Sequence, residues 1–166
     1  MSRPQEEFRE FVRTRAAPLH RTAYLLCGDW HLADDLVQEA LAKTFRNWQR
    51  VRRADSPDAY VRRILINESN RYWRRRGNSD SYFEPAGHEA TAPDSTDEIV
   101  DRSELLRALL SLPERQRATV VLRYLEGLSG QETAAVLRCS EGTVKSQTFR
   151  ALSALKTFFI REELLL

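Results

Sequence analysis

The sequence predicts an all-α fold: two small helical domains joined by a flexible acidic linker. Three observations carry that expectation. Apolar residues recur at helical spacing in both halves of the chain, and no β alternation of useful length interrupts them. Between Gly77 and about Thr96 the periodicity stops, and Gly77-Asn78-Ser79-Asp80, Pro85, Gly87 and Pro93-Asp94-Ser95 take its place. Near the C-terminus, Ser129 to Lys156 reads as two short helices around a tight turn, a helix-turn-helix pattern. The expected division is therefore a domain over 5–76, a linker over 77–96 and a second domain over 97–166.

The first helix is expected from about Gln5 to Cys27, with Phe8, Phe11, Val12, Leu19, Leu25 and Leu26 as its apolar content. Pro18 lacks an amide and predicts a break or bend within it, and Gly28-Asp29 punctuates its end. A second helix, about His31 to Gln49, buries Leu32, Leu36, Ala40, Leu41, Thr44 and Trp48. Its other face shows Asp35, Gln38, Glu39, Ala42 and Arg46, a pattern that by itself suits an ordinary solvated surface. A loop from Arg50 to Asp58 follows, and Ser56 or Asp55 ahead of Pro57 opens a third helix that runs to about Arg76. That helix turns Tyr60, Val61, Ile64, Leu65 and Tyr72 inward and leaves Arg62, Arg63, Asn67, Ser69, Asn70, Trp73 and Arg74 on its surface. Amides, arginines and a displayed ring are the groups that hold unstacked single-stranded bases. The other reading is an arginine-rich solvated helix with Trp73 packed under the linker.

The formal net charge is only +2 although 30% of residues are charged, so the balance hides segregation along the chain. From Arg50 to Arg76, nine arginines stand against Asp55, Asp58 and Glu68. From Gly77 to Asp101 there is no Lys or Arg, and seven acids fill the stretch. A basic block beside an acidic one suggests a polyanion-binding face followed by a solvated connector.

What the chain lacks weighs against several function classes. Cys27 and Cys139 are far apart and have no Cys or His beside them at metal-ligand spacing, so reduced, buried thiols and no metal are expected. His20, His31 and His88 are scattered, no glycine-rich phosphate loop is present, and no Ser, Cys or carboxylate has an evident activating partner. Neither catalytic residues, nor a cofactor, nor a small-molecule substrate is expected. The chain shows no leader peptide and no apolar run near the ~20 residues that cross a bilayer, so a cytoplasmic protein without membrane insertion is expected.

In the second domain, Ser129-Gly130-Gln131-Glu132 forms a capping box at the start of a helix whose buried stripe is Ala134, Val136 and Leu137. Beyond Arg138 and Cys139, Ser140 is the next N-cap, and Glu141 suits the positive end of the helix dipole. At 100° per residue Val144, Thr148, Ala151 and Leu155 share the inner face of this second helix. Lys145, Ser146, Phe149, Arg150 and Ser153 share the outer one. Two cations, two hydroxyls and an aromatic suit a helix in the major groove of DNA; a solvated face with one stray aromatic, or a contact to another helix, is the plainer reading.

These motifs resemble a known family. Asp34-Asp35-Leu36-Val37-Gln38-Glu39-Ala40, followed by Ala59-Tyr60-Val61-Arg62-Arg63-Ile64 and Asn67, looks like region 2 of the sigma-70 family of RNA polymerase sigma factors. Leu109-Leu110-Ser111-Leu112-Pro113-Glu114-Arg115-Gln116-Arg117 and Gly142-Thr143-Val144-Lys145-Ser146 look like region 4. Two regions on a short linker are similar to the extracytoplasmic-function (ECF) subgroup, in particular its actinobacterial sigma-E-like members. The resemblance implies a specificity subunit that binds core RNA polymerase and directs transcription initiation at promoters. Asp35, Gln38 and Glu39 would dock on the clamp helices of the largest subunit, and helices within Leu105 to Leu125 would hold the flap. Arg53, Arg63, Asn67, Asn70 and Trp73 would capture and melt the −10 element as single strand, and Thr143, Lys145, Ser146, Phe149 and Arg150 would read the −35 element as duplex. Many relatives are held by an anti-sigma factor, a further possible partner. Arg138 departs from the Gly usual at the family's turn, and Gln147 from a frequent basic residue.

Three other functions remain open on sequence: a helix-turn-helix regulator that binds duplex DNA without polymerase, a polymerase-binding adaptor without promoter activity, and a small enzyme.

Overall fold

The computed structural model describes residues 2–76 and 96–164, with side chains from 103 onward in the second stretch. The expected acidic linker, apart from Thr96, lies outside the described residues. Among the described residues every regular element is helical, and the chain separates into two compact units.

The first unit is built from α1 (Arg3–Cys27), α2 (Trp30–Arg46), α3 (Trp48–Val51) and α4 (Pro57–Arg75). Of the break or bend expected at Pro18, the break does not occur: α1 runs through it as one helix. Proline removes one ladder bond at a cost of about 3 kcal/mol. Beyond it, Leu19, Thr22, Ala23, Leu26 and Cys27 are all buried, and the packing of that face outweighs the local loss. The turn into α2 follows its sequence signals closely. Gly28 adopts φ 80 and its amide closes onto the Tyr24 carbonyl at 2.7 Å. Asp29 then caps α2, one carboxylate oxygen accepting the amides of His31 and Leu32 at 2.8 and 3.2 Å.

The second helix ends at Arg46, three residues before its expected end, and Asn47 separates it from the short α3. This break turns the Trp48 ring into the unit, where it meets Phe8 edge-on at 5.2 Å and Phe11 at 5.3 Å. Ser56 caps α4 by accepting the Ala59 amide at 3.1 Å, with Pro57 in the first turn as expected. The core joins Leu19, Ala23 and Cys27 of α1 with Ala33, Leu36, Val37 and Ala40 of α2 and Val61 and Leu65 of α4. Ser69, expected on the surface, is instead buried, as is Ile66.

The second unit holds α5 (Thr96–Leu110), α6 (Glu114–Val120) with a π-helical continuation over Val121–Leu125, α7 (Gly130–Leu137) and α8 (Glu141–Leu164). Leu106, Leu109, Leu112, Ala118, Val121, Leu122, Val144 and Ala151 are buried in it. The last helix is longer than expected: α8 continues past Lys156 to Leu164. Its extension is anchored by Arg107 of α5, whose guanidinium donates to Glu162 at 3.2 Å and lies over the Phe158 ring at 5.9 Å. Both cysteines are reduced, but only Cys27 is buried; Cys139 is partly exposed, a correction to the expected burial. Among the described residues no helix is long and apolar enough to cross a membrane.

Candidate nucleic-acid interface

In the second unit the helix-turn-helix is set by three local devices. The Ser129 hydroxyl accepts the Glu132 amide at 3.0 Å while the Glu132 carboxylate accepts the Ser129 amide at 3.0 Å, the reciprocal capping box expected from sequence. Arg138 closes α7 in the left-handed region at φ 54, ψ 50, which tightens the turn. Ser140 then starts α8, its hydroxyl accepting the Thr143 amide at 3.1 Å.

With both ends fixed, the faces of α8 are decided by which residues the unit buries. Val144 and Ala151 are buried, and Thr148 and Leu155 lie partly inside. Lys145, Ser146, Phe149, Arg150 and Ser153 are all exposed, with the Phe149 ring 73% accessible. A ring left that open on a cationic helix face has no packing role within its own unit. Thr143 differs from the others: it is partly buried, and its hydroxyl lies 3.0 Å from that of Ser140, so it shapes the cap. The Ser146 hydroxyl donates to the Thr143 carbonyl at 3.1 Å.

A cleft of about 600 Å³ runs between this face and the start of α7, with Arg123, Gln131, Lys145 and Phe149 among its walls. Arg123 and Gln131 escaped the sequence analysis. Gln131 entered only as a spacer of the capping box and Arg123 belongs to no such motif, and only the fold brings the π-helical segment beside α8.

In the first unit, α4 carries Arg63, Asn67, Asn70 and Arg74 at i, i+4, i+7 and i+11, a single outward stripe. Asn67 is exposed and Asn70 partly so. Trp73 does not join them. Its ring packs against the core cluster, and its Nε1 donates to the Leu26 carbonyl at 3.2 Å. The expected base-stacking ring is thus a structural one, because Trp73 flanks the buried stripe and α1 supplies the acceptor its indole needs.

The segment before α4 carries Arg53, which is exposed. Two ion pairs to α1 hold it from either side. Arg52 grips Glu7 with two bonds of 2.7 Å, and Arg15 pairs with Asp58 through both carboxylate oxygens. Hydrogen bonding to Arg52 is the main cause that holds the Glu7 carboxyl below its usual range. Sequence reasoning missed both pairs, since their partners lie more than forty residues apart.

On α2, Asp35, Gln38 and Glu39 are exposed along one face. Lys43 binds Glu68 of α4 and lies 3.9 Å from Glu39, which steadies the end of that stripe.

Comparison with known proteins decides what carries these faces. The model of sigma-70 region 2 matches residues 11–79, and that of sigma-70 region 4 matches residues 102–155. The RNA polymerase sigma-E factor of Streptomyces coelicolor is 40% identical over 95% of this chain and 89% of its own length. The chain belongs to the sigma-70 family of RNA polymerase sigma factors. Within the sigma-70 family it falls among the ECF sigma factors: the ECF sigma-E factor of Escherichia coli K12 is 34% identical over 80% of this chain and 74% of its own. The structure of the sigma factor RpoE in complex with the anti-sigma factor NepR, from Bartonella quintana, matches with a TM-score of 0.75 and 28% identity over 93% of this chain and 97% of that one. CnrH, solved with the cytosolic domain of CnrY, shares the fold at a TM-score of 0.69 and 20% identity over 95% and 90% of the two chains. The sigma-70 region 4 match contains the capping box, the Arg138 turn and the exposed α8 face, and the region 2 match contains the stripes on α2 and α4.

Proposed function

We propose that this sigma factor binds core RNA polymerase and directs initiation at promoters by dividing recognition between its two units. The domain over 5–76 docks on the clamp helices of the largest subunit through Asp35, Gln38 and Glu39, and melts the −10 element with Arg53, Arg63, Asn67 and Asn70. The domain over 97–166 meets the flap and reads the −35 duplex with Lys145, Ser146, Phe149 and Arg150, while Thr143 fixes the start of the reading helix. The observation that carries this reading is the exposed α8 face, two cations around an open aromatic ring on a helix capped at its start. Trp73 has no direct base contact in the scheme, since its ring is engaged with the core.

Neither unit needs catalytic chemistry for this role, and the work is binding and positioning in the cytoplasm, where the polymerase acts. Core polymerase fixes the spacing of the two DNA-reading faces, so that the second contact is effectively intramolecular. An anti-sigma factor that covers these faces would silence the protein, as suggested by the inhibitor-bound relative.

Transcription with sigma-free core polymerase on genomic fragments tests the proposal. Discrete transcripts that need both components are expected. Tight DNA binding without core, and no transcripts, would assign the chain to conventional regulators instead.

A further inference from the structure

Three side chains on two helices form a continuous hydrogen-bonded series that ends on the docking stripe. His20 Nδ1 lies 2.7 Å from the Ala16 carbonyl one turn back on α1, and His20 Nε2 lies 2.8 Å from Asp34 Oδ1 on α2. The other Asp34 oxygen accepts the Gln38 side-chain amide nitrogen at 2.9 Å. Donor and acceptor roles follow from chemistry. A carbonyl only accepts, so Nδ1 carries a proton. An ionised carboxylate also only accepts, so Gln38 must turn its NH2 towards Asp34 and its Oε1 away. With both ring nitrogens facing acceptors, the series is fully bonded when the imidazole is doubly protonated, and the link to Asp34 is then charge-assisted. Core packing does not require this arrangement, since the His20 and Asp34 side chains are 32% and 49% accessible.

We propose that His20 is a positioning residue for polymerase docking: through Asp34 it holds the Gln38 amide with its oxygen outward, so that the polymerase group it meets is a hydrogen-bond donor such as Arg, Lys or a backbone N–H. The inference rests on the reading of α2 as the polymerase-binding face. A glutamine already held in its binding orientation gives up less rotamer freedom on association than a free one. Neither His20 nor Asp34 touches the partner in this scheme, and both act through Gln38.

A double-mutant cycle on binding to sigma-free core polymerase is the test, with the native chain, His20→Ala, Gln38→Ala and the pair. His20→Ala is expected to raise Kd roughly threefold to tenfold, the worth of a single net hydrogen bond, and to add little once Gln38 is already Ala. A merely structural effect of His20 would instead multiply with that of Gln38→Ala, and that result overturns the inference, as does an unchanged Kd for His20→Ala. Gln38→Ala binding like the native chain has a different meaning: the docking face itself is then misassigned at this residue, and the inference falls with it. Should His20→Ala lower the melting temperature appreciably, Asp34→Asn replaces it in the cycle, with the same non-additivity expected. In the free protein, the side-chain amide resonances of Gln38 should move in both the His20→Ala and Asp34→Asn variants; resonances that stay in place would sever the series regardless of any binding result.

Discussion

The Arg117 guanidinium donates to the Leu109 carbonyl at 3.0 Å from a side chain that is only 7% accessible. It also reaches the carbonyls of Leu110 at 3.2 Å and Leu112 at 2.9 Å, so one buried arginine satisfies the C-terminal end of α5 and the turn into α6. Arg117→Leu removes the guanidinium from all three carbonyls, of which Leu109 keeps the Leu112 amide at 3.1 Å, and should destabilise the second unit by about 2–4 kcal/mol. Arg117→Lys should recover part of that, since an ammonium keeps the charge but not the planar fork. Thermal unfolding of the two variants checks the order; equal melting of Arg117→Leu and the native chain would refute it.

Arg138 holds a left-handed conformation at φ 54 with an exposed side chain. Glycine adopts that region freely, whereas a residue with a Cβ incurs roughly 1 kcal/mol there. Arg138→Gly should therefore raise the melting temperature of the second unit by about 4–8 °C. A drop on calorimetry would mean that the arginine contributes something its exposure does not suggest.

Glu7 and Arg52 predict a pH effect with a definite sign. Bonding to Arg52 lowers the Glu7 pKa in the folded state below its ordinary 4.5, so the pair stabilises the fold above that value and the contribution is lost as pH falls through the lowered one. Glu7→Gln should accordingly melt below the native protein at neutral pH, and the gap should close as pH falls below 4.5. A gap that stays constant with acidification would show the two residues to be uncoupled.

The proposed division of labour separates two groups of variants. Lys145→Ala and Arg150→Ala should weaken binding to the upstream duplex and flatten its salt dependence by about one unit of slope each where the side chain meets phosphate. Asn67→Ala should slow opening of a duplex promoter and matter much less on a template already melted at the −10 element. Abortive initiation on paired and pre-melted promoters distinguishes them, and identical behaviour of the two groups on both templates would end the scheme.

Much of the fold was legible in sequence because the signals are local. Gly28-Asp29, Ser56-Pro57, the Ser129 to Glu132 box and Ser140 all mark helix ends, and each cap bonds within its own neighbourhood. The outer face of α8 was equally readable, since helical periodicity alone separates Val144 and Ala151 from Lys145, Phe149 and Arg150. The expectations that failed concern competition between a local preference and a distant contact. Pro18 disfavours a continuous helix, but the buried residues beyond it prevail. Trp73 has surface-lying neighbours in sequence, but the Leu26 carbonyl forty-seven residues away draws it in.

The sequence by itself determined the all-helical character, the capped helix starts and the charged faces, because these depend on interactions spanning a few residues. Tertiary structure decided what no local pattern encodes: Arg52 on Glu7, Arg15 on Asp58, His20 on Asp34, and Arg123 beside α8. The physical reason is range. A cap or an amphipathic stripe is fixed by backbone geometry within a turn or two, whereas an ion pair between helices exists only once core packing has brought its two ends together.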